Sequence, residues 1–259
     1  MTDAILIERS ESIATVILSN PKKLNALTLN MWESLSEAFN SLSEDPELRC
    51  VVLRGAGNDA FAAGADVEEF THVRASREQA RHYATAAHSA MKAIATCRHP
   101  TIAAIRGACV GGGLEIASNC DLRLSSDISR FGVPVKRLGL VMSYSDLYGL
   151  MALTGRAGAL EILLEGRIFN AQEALNKGLL TRVVPDHELE AEVQSSAQRI
   201  ITGGPLVARW HKKFINRLAP MPVLTDEELD ECYACFDTED YKIGYQAFLD
   251  KTRANFIGQ

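Results

Sequence analysis

An alternation of strand patterns and helix patterns along most of the chain constrains the fold more than any other sequence feature. Two short apolar strand patterns, residues 5–7 and 13–18, are separated by a tight polar turn. A helix pattern with one apolar face follows at residues 31–42, and Thr28 is placed to cap it. Further strand patterns lie at 50–53, 101–105 and 122–124, with helix patterns at 76–94 and after 111–113. This strand–strand–helix order predicts an α/β fold of stacked ββα-like units.

The chain becomes helical from about Gly155. Helix patterns cover 186–202, 205–217, 225–236 and 239–254, with a capping-box pattern at Thr225 and Glu228. The Gly203-Gly-Pro205 segment is the best candidate for a boundary. We therefore predict a core at 1–203 and a C-terminal helical region at 204–259. That region carries aromatic residues up to Phe256 and must pack on its own body or on a neighbouring subunit.

Composition excludes several classes of protein. Apolar residues make up 47% of the 259 residues, and the formal net charge is −6, which disfavours general binding to nucleic acid. The N-terminal residues show no signal pattern, and Gly, Arg or Glu interrupts the longest apolar stretches. We therefore expect a cytoplasmic protein without a membrane partner.

The cysteine and histidine patterns do not predict a metal site. Four cysteines are interpreted as core residues, and the Cys232/Cys235 pair has no second pair to complete a metal site. The histidines are interpreted as surface or hydrogen-bonded residues; they are His72, His82, His88, His99, His187 and His211.

Three successive glycines at 111–113 lie between a strand pattern and a helix pattern. Backbone N–H groups at a helix N-terminus have no intrahelical partner and favour negative charge. Glu115 follows Gly112 by three residues, so a helix would place the carboxylate on nearly the same face. This pairing suits proton transfer next to a polarised carbonyl. The alternative is that the glycines only permit close packing and that Glu115 is solvated.

A second glycine turn, at Ala60–Asp66, offers a similar group. Gly64 permits a sharp turn from which the N–H of Ala65 could project. The alternative is an ordinary strand-to-helix turn capped by Asp66.

Taken in order, these motifs resemble the crotonase family, also called the enoyl-CoA hydratase/isomerase family. The resemblance rests on the segments 20–27, 61–66, 100–107, 111–115, 120–121, 131–134, 155–161, 178–179 and 248–253. It implies a spiral of stacked ββα units with a C-terminal helical trimerisation region, assembled as a homotrimer or a dimer of trimers. It also implies an acyl-CoA thioester substrate, with coenzyme A as part of that substrate and no tightly bound cofactor.

The resemblance further implies roles for particular residues. The N–H groups of Ala65 and Gly112 would form an oxyanion hole, with Glu115 as acid/base. The residues implied to hold substrate or coenzyme A are Lys22, Lys23, Leu24, Ala26, Ala63, Asp66 and Val135, with Phe248 and Lys251 supplied by a neighbouring subunit. The alternatives are a solvated turn for the two lysines at 22–23 and ordinary helix packing for Phe248 and Lys251.

The chain departs from the family at Val135, where hydratases that resemble it carry a second glutamate. Valine can neither donate nor accept a proton, so two-carboxylate hydration is in doubt. Asp146, Tyr144 and Ser143 are candidates for a substitute acid, although Asp146 also fits a cap for the next helix. Hydration, isomerisation, decarboxylation and silent acyl-CoA binding therefore remain open.

Overall fold

The computed structural model describes residues 4–218 and 225–255. Its larger sheet contains six strands in the order β1-β2-β3-β5-β7-β10, and every neighbouring pair is parallel except the antiparallel β1-β2 hairpin. These strands are β1 (Ala4–Ser10), β2 (Ile13–Ser19), β3 (Cys50–Gly55), β5 (Thr101–Ile105), β7 (Leu122–Ser126) and β10 (Arg182–Val184). Each strand pattern predicted from the sequence lies in this sheet, because the central strands are apolar enough to be buried on both faces.

A second sheet of four short strands was missed by the sequence analysis. It comprises β4 (Ala60–Ala62), β6 (Ala108–Val110), β8 (Arg130–Gly132) and β9 (Phe169–Asn170), in that order. Sequence analysis assigned the first two segments to loops, because three residues are too few to show an alternating pattern. The strands come in consecutive pairs, β3-β4, β5-β6 and β7-β8. In each pair the first strand belongs to the larger sheet and the second to the smaller sheet, and a helix follows the pair. This is the predicted spiral of ββα units, and both glycine turns directly follow strands of the second sheet.

Helices cover the sheets, and side-chain caps fix several of their ends. They are α1 (Leu29–Glu44), α2 (Phe70–Val73), α3 (Arg77–Thr96), α4 (Gly112–Ser118), α5 (Tyr144–Glu165), α6 (Ala171–Asn176), α7 (Leu189–Ile201), α8 (Pro205–Leu218), α9 (Asp226–Glu231) and α10 (Glu239–Leu249). Thr28 caps α1 by accepting a hydrogen bond from Met31 N, and Ser76 caps α3 through Gln79 N. The Gln79 side chain accepts from Ala75 N, one residue before the partner expected in a capping box.

One described helix, α5, is long and apolar enough to span a bilayer by length and composition alone. Gly155 has a φ of 65° and a ψ of 175°, which breaks the helical geometry in the middle of this segment. The two shorter halves each fall below the length of about 20 residues that a span requires.

The C-terminal helices differ in how they pack. Helix α7 packs on β3, β5 and β7 over a small core, whereas α8 presents exposed apolar side chains. Helix α10 packs on the 3-10 turn Val135–Leu138 and ends at Leu249, five residues before the predicted end. The domain division at residue 203 stays a prediction. Phe256 and the side chains of Glu228, Cys232 and Cys235 lie outside the part of the chain described.

Candidate active site

The N–H group of Ala65 projects from the Ala60–Asp66 glycine turn and has no acceptor in the described part of the chain. Leu27 and Ala65 form an isolated parallel bridge. Its two hydrogen bonds run from Leu27 N to Gly64 O and from Asp66 N to Leu27 O, each 2.8 Å long. Both bonds use the residues that flank Ala65, so the bridge itself leaves the Ala65 amide free. That amide donates to no group among the described residues.

The N–H group of Gly112 lies next to that of Ala65. Gly112 is the first residue of α4, so its amide has no intrahelical acceptor. A Cβ atom on Gly112 would lie 3.7 Å from Ala65 N and only 3.1 Å from Cζ2 of Trp32. Glycine therefore lets the two amides lie side by side above the buried indole without displacing it. Two adjacent donors at a helix N-terminus, neither with an acceptor among the described residues, can stabilise a developing oxyanion.

Glu115 lies one turn along α4. Together with Ala65 and Gly112 it lines a small cavity, called the inner cavity below. It keeps some solvent-accessible surface, but the surrounding protein removes most of the water that would solvate its charge. This desolvation, with a smaller contribution from the charge of Asp146, raises the pKa of Glu115 from 4.5 to about 8, against the opposing charge of Arg74. A carboxyl group with this pKa can both accept and return a proton near neutral pH.

Asp146 and His88 form a second polar group on the inner cavity. His88 Nε2 lies 3.0 Å from Asp146 Oδ1 and 2.9 Å from Ser143 Oγ. Asp146 Oδ2 accepts from Ser143 N at 2.9 Å, which completes a capping box at the start of α5. Burial alone would raise the pKa of Asp146, but the hydrogen bonds from His88 and Ser143 and the charge of His88 outweigh it and lower that pKa. Asp146 is thus both a helix cap, as the alternative interpretation held, and a charged group facing the cavity.

The rest of the inner cavity is mainly apolar and aromatic, and its volume is about 100 Å³. Its lining residues are Trp32, Ala65, Val67, Phe70, Arg74, Tyr83, Ala84, Ala87, His88, Gly112, Glu115, Val135, Leu138, Leu140, Val141, Met142 and Asp146. Trp32 Nε1 donates a 2.7 Å hydrogen bond to Tyr83 Oη, which ties α1 to α3 beneath the glycine turn. Burial raises the pKa of Tyr83 well above its usual value, so the phenol stays neutral.

A larger outer cavity of about 390 Å³ adjoins the inner one. Among the residues predicted to bind substrate, it is lined by Lys23, Ala26, Ala63, Ala65, Asp66, Val135 and Phe248. Lys23 Nζ forms ion pairs with Asp66 (2.6 Å) and Glu68 (2.8 Å), so Lys23 also secures the turn that carries Ala65.

Other predicted residues lie apart from the two cavities. Lys22, Leu24 and Lys251 are exposed and line neither of them. Phe248 lines the outer cavity of its own chain. Its supply by a neighbouring subunit stays a prediction. Tyr144 is exposed and does not line the inner cavity.

Val135 lies where the two cavities meet, because it lines both. The position at which a carboxylate was predicted to be lost therefore lies at the junction of the two cavities. Among the described residues, the acidic groups that line the inner cavity are Glu115 and Asp146. Ser143 is buried and acts on the cavity through His88 and Asp146.

Sequence analysis did not identify His88 or Arg74 as residues of the site. The interpretation of His88 as hydrogen-bonded was correct, but its place in the cavity was missed. Its spacing on α3 gives the signal: His88 follows Ala84 by four residues and precedes Met91 by three, on the face that packs inward. Arg74 gives no such signal, because it lies after a four-residue helix.

Comparison with known proteins is consistent with this geometry. Residues 8–259 match the family model for enoyl-CoA hydratase/isomerase. The chain is 32% identical over 257 residues to crotonyl-CoA hydratase from Syntrophomonas wolfei, and the match covers 98% of each protein.

Solved structures agree over nearly the whole chain. An enoyl-CoA hydratase/carnithine racemase from Magnetospirillum magneticum is 48% identical, with a TM-score of 0.83, and the match covers 100% of this chain and 97% of that one. A methylmalonyl-CoA decarboxylase in complex with 2-nitronate-propionyl-CoA is 26% identical, with a TM-score of 0.89 and 98% of each chain covered. The chain has the crotonase fold and belongs to the enoyl-CoA hydratase/isomerase family of acyl-CoA enzymes.

Proposed function

We propose that this enzyme forms and quenches the enolate of a short acyl-CoA thioester. The thioester oxygen accepts hydrogen bonds from the N–H groups of Ala65 and Gly112, and Glu115 moves the proton. The observation that carries the proposal is the pair of adjacent, unpaired amides beside a carboxyl group whose pKa is about 8. Each oxyanion-hole donor is typically worth about 10²–10³ in rate.

The chemistry that needs only these groups is movement of a double bond within an enoyl thioester. Ionised Glu115 removes a proton from a carbon of the acyl chain, and negative charge collects on the thioester oxygen between the two amides. The same carboxyl group then returns the proton to another carbon of the chain. This sequence consumes no water and needs no group at position 135.

Hydration is the second candidate. The relative from Syntrophomonas wolfei is named a crotonyl-CoA hydratase, and hydration requires a group that activates water besides the one that protonates carbon. Val135 cannot serve, but Asp146 hydrogen-bonded to His88 lies on the same cavity as Glu115. In this mechanism the Asp146–His88 pair orients the water, and Glu115 exchanges the proton at the α-carbon.

The two cavities support an arrangement of the substrate. The outer cavity, with Lys23 at its wall, takes part of the phosphorylated coenzyme A moiety, and the small inner cavity takes a short acyl chain. No tightly bound cofactor takes part in this mechanism.

The exposed apolar face of α8 packs against neighbouring copies in a trimer or a dimer of trimers.

Turnover assays with two thioesters test the proposal. Wild-type enzyme and E115Q are mixed with crotonyl-CoA and with 3-butenoyl-CoA, while binding of butyryl-CoA is measured in parallel. We expect turnover of 3-butenoyl-CoA to fall about 10²–10⁴-fold in E115Q, with butyryl-CoA still bound. The matched control E190Q changes an exposed glutamate on α7 and should behave as wild type.

The outcomes separate the candidates. Fast hydration of crotonyl-CoA that requires Asp146 favours the second candidate. Tight binding of thioesters without turnover of any enoyl or dicarboxylyl substrate by the wild-type enzyme would refute the proposal and identify a silent acyl-CoA binder.

A further inference from the structure

Arg74 is held rigidly at the wall of the inner cavity. It follows α2 directly, and its backbone carbonyl accepts a 2.7 Å hydrogen bond from the hydroxyl of Tyr241 on α10. The guanidinium carbon lies 4.6 Å from the ring centre of Phe70, 4.8 Å from that of Tyr83 and 5.4 Å from that of Phe236. Contacts with three rings fix the position of this cation and stabilise its charge without neutralising it.

The charge of Arg74 has no anionic partner in the part of the chain that the structure describes. No carboxylate there forms an ion pair with Arg74, and its side chain donates no hydrogen bond. The Nε atom is buried and unsatisfied. The neighbouring Arg77 and Arg81, by contrast, both form ion pairs with Asp230. Arg74 as a whole is half-buried, but a buried donor without an acceptor is costly, so the Nε group calls for an explanation.

The two carboxyl groups on the same cavity do not supply this partner. Asp146 is occupied by His88 and Ser143, and Glu115 is held toward its neutral form. The Arg74 guanidinium therefore faces a small cavity that also contains the amides of Ala65 and Gly112. A planar guanidinium binds a carboxylate through two parallel hydrogen bonds.

We propose that Arg74 binds a second carboxylate at the far end of the acyl group, so that the preferred substrates are coenzyme A thioesters of short dicarboxylic acids. This inference rests on the proposed function, because it places the thioester oxygen at Ala65 and Gly112. The inner cavity of about 100 Å³ contains both the oxyanion donors and Arg74, which limits the acyl chain to a few carbons.

Binding of matched ligand pairs tests the inference. Malonyl-CoA is compared with 3-methylbutanoyl-CoA, and succinyl-CoA with 4-methylpentanoyl-CoA, because each pair differs in a terminal carboxylate or an isosteric, uncharged group. Dissociation constants are measured by calorimetry at pH 7 in the wild-type enzyme and in an E115Q background, which prevents turnover. We expect one dicarboxylyl thioester to bind at least tenfold more tightly than its neutral partner.

Variants at Arg74 then test whether this residue causes the preference for the dicarboxylyl thioester over its neutral partner. In R74Q the ratio of the two dissociation constants should fall to within about threefold of unity, whereas R74K should keep part of it. The matched control R137Q removes the same charge from the outer cavity, where both ligands carry the same coenzyme A moiety, so it should change both affinities by one factor.

Two results would overturn the inference: the absence of any dicarboxylyl preference in the wild-type enzyme, or a preference that R74Q leaves intact. If Arg74 only holds the aromatic rings together, R74Q lowers thermal stability and weakens both ligands equally. Failure of the proposed function looks different, because the neutral thioesters then fail to bind or E115Q turns over 3-butenoyl-CoA at the wild-type rate.

Discussion

The carboxylate of Asp146 lies 3.0 Å from the imidazole Nε2 of His88, and both groups face the cavity that contains Glu115. The negative charge of Asp146 raises the pKa of Glu115. Removing the charge of Asp146 must therefore lower the pKa of Glu115, even though Asp146 lies on α5 and Glu115 on α4.

We predict that D146N moves the pH dependence of turnover to lower pH. A rate that requires ionised Glu115 should rise with pH until about pH 8 in the wild-type enzyme and level off at lower pH in D146N. The pH profile of kcat/KM measures this shift. The variant S143A is the control, since it removes the helix cap at a cost of about 1 kcal/mol but keeps the charge. An unshifted profile in D146N would show that the two carboxyl groups do not interact.

E115Q should be more stable than the wild-type enzyme at alkaline pH. The raised pKa means that the folded state binds the Glu115 proton more tightly than the unfolded state, so wild-type stability falls as pH rises from about 4.5 to about 8. Glutamine has no such dependence, so the two melting temperatures should converge near pH 4.5 and separate above it. Each kcal/mol corresponds to about 2–4 °C for a chain of this size. Equal melting temperatures at pH 9 would contradict the raised pKa.

G112A should reduce kcat/KM about 100-fold, because the added methyl group would lie 3.1 Å from Trp32 Cζ2, so that the indole or the backbone at residue 112 must shift. G203A provides the control: a Cβ at that position meets Ile200 O at 3.5 Å, an ordinary contact. Steady-state kinetics with a 3-enoyl-CoA measure both variants. Wild-type activity in G112A would mean that the two amides do not act together on the thioester.

Substitutions of the adjacent residues Lys22 and Lys23 should differ sharply in their effects on KM and on stability. K23Q leaves the buried carboxylate of Asp66 without its cation, next to Ala65, the residue proposed to supply an oxyanion donor. We expect a higher KM for acyl-CoA and a loss of about 1 kcal/mol in the free energy of unfolding. K22Q changes an exposed lysine that lines neither cavity and should change little. Equal effects of the two variants on KM would favour a diffuse role of charge in binding coenzyme A.

The apolar face of α8 should mediate assembly. Trp210 is 52% exposed and Phe214 is 56% exposed, one helical turn apart. F214E should dissociate the oligomer, whereas K213E, an exposed neighbour on the same helix, should not. Sedimentation velocity measures the mass of each. A monomeric wild-type protein would show that this face serves another purpose.

The five longer strands of the larger sheet could be predicted from the sequence because each has an apolar or alternating pattern of its own. The second sheet could not. The β4 and β6 strands have three residues each and acquire their structure by pairing with each other, at a distance of 48 residues along the chain for Ala60 and Ala108. Pairing at such distances is a tertiary effect that a local pattern does not encode.

The residues of the candidate site also divide into those that the sequence predicts and those that it does not. Ala65, Gly112 and Glu115 were found because glycine turns and a carboxylate at helical spacing are local features. His88 and Arg74 were not, because their significance depends on which groups α5 and the C-terminal helices bring next to them. Phe236, which completes the ring contacts of Arg74, is 162 residues away along the chain.

Trp32 links the beginning of the chain to the chemistry. Its buried indole supports Gly112 from below and donates to Tyr83, so α1, α3 and α4 meet at one side chain. A truncated protein that lacks the first forty residues would lose the floor of the proposed oxyanion hole together with the N-terminal hairpin. Activity should therefore appear late in refolding, only after segments about eighty residues apart have docked, and partial folding should yield no partial catalyst.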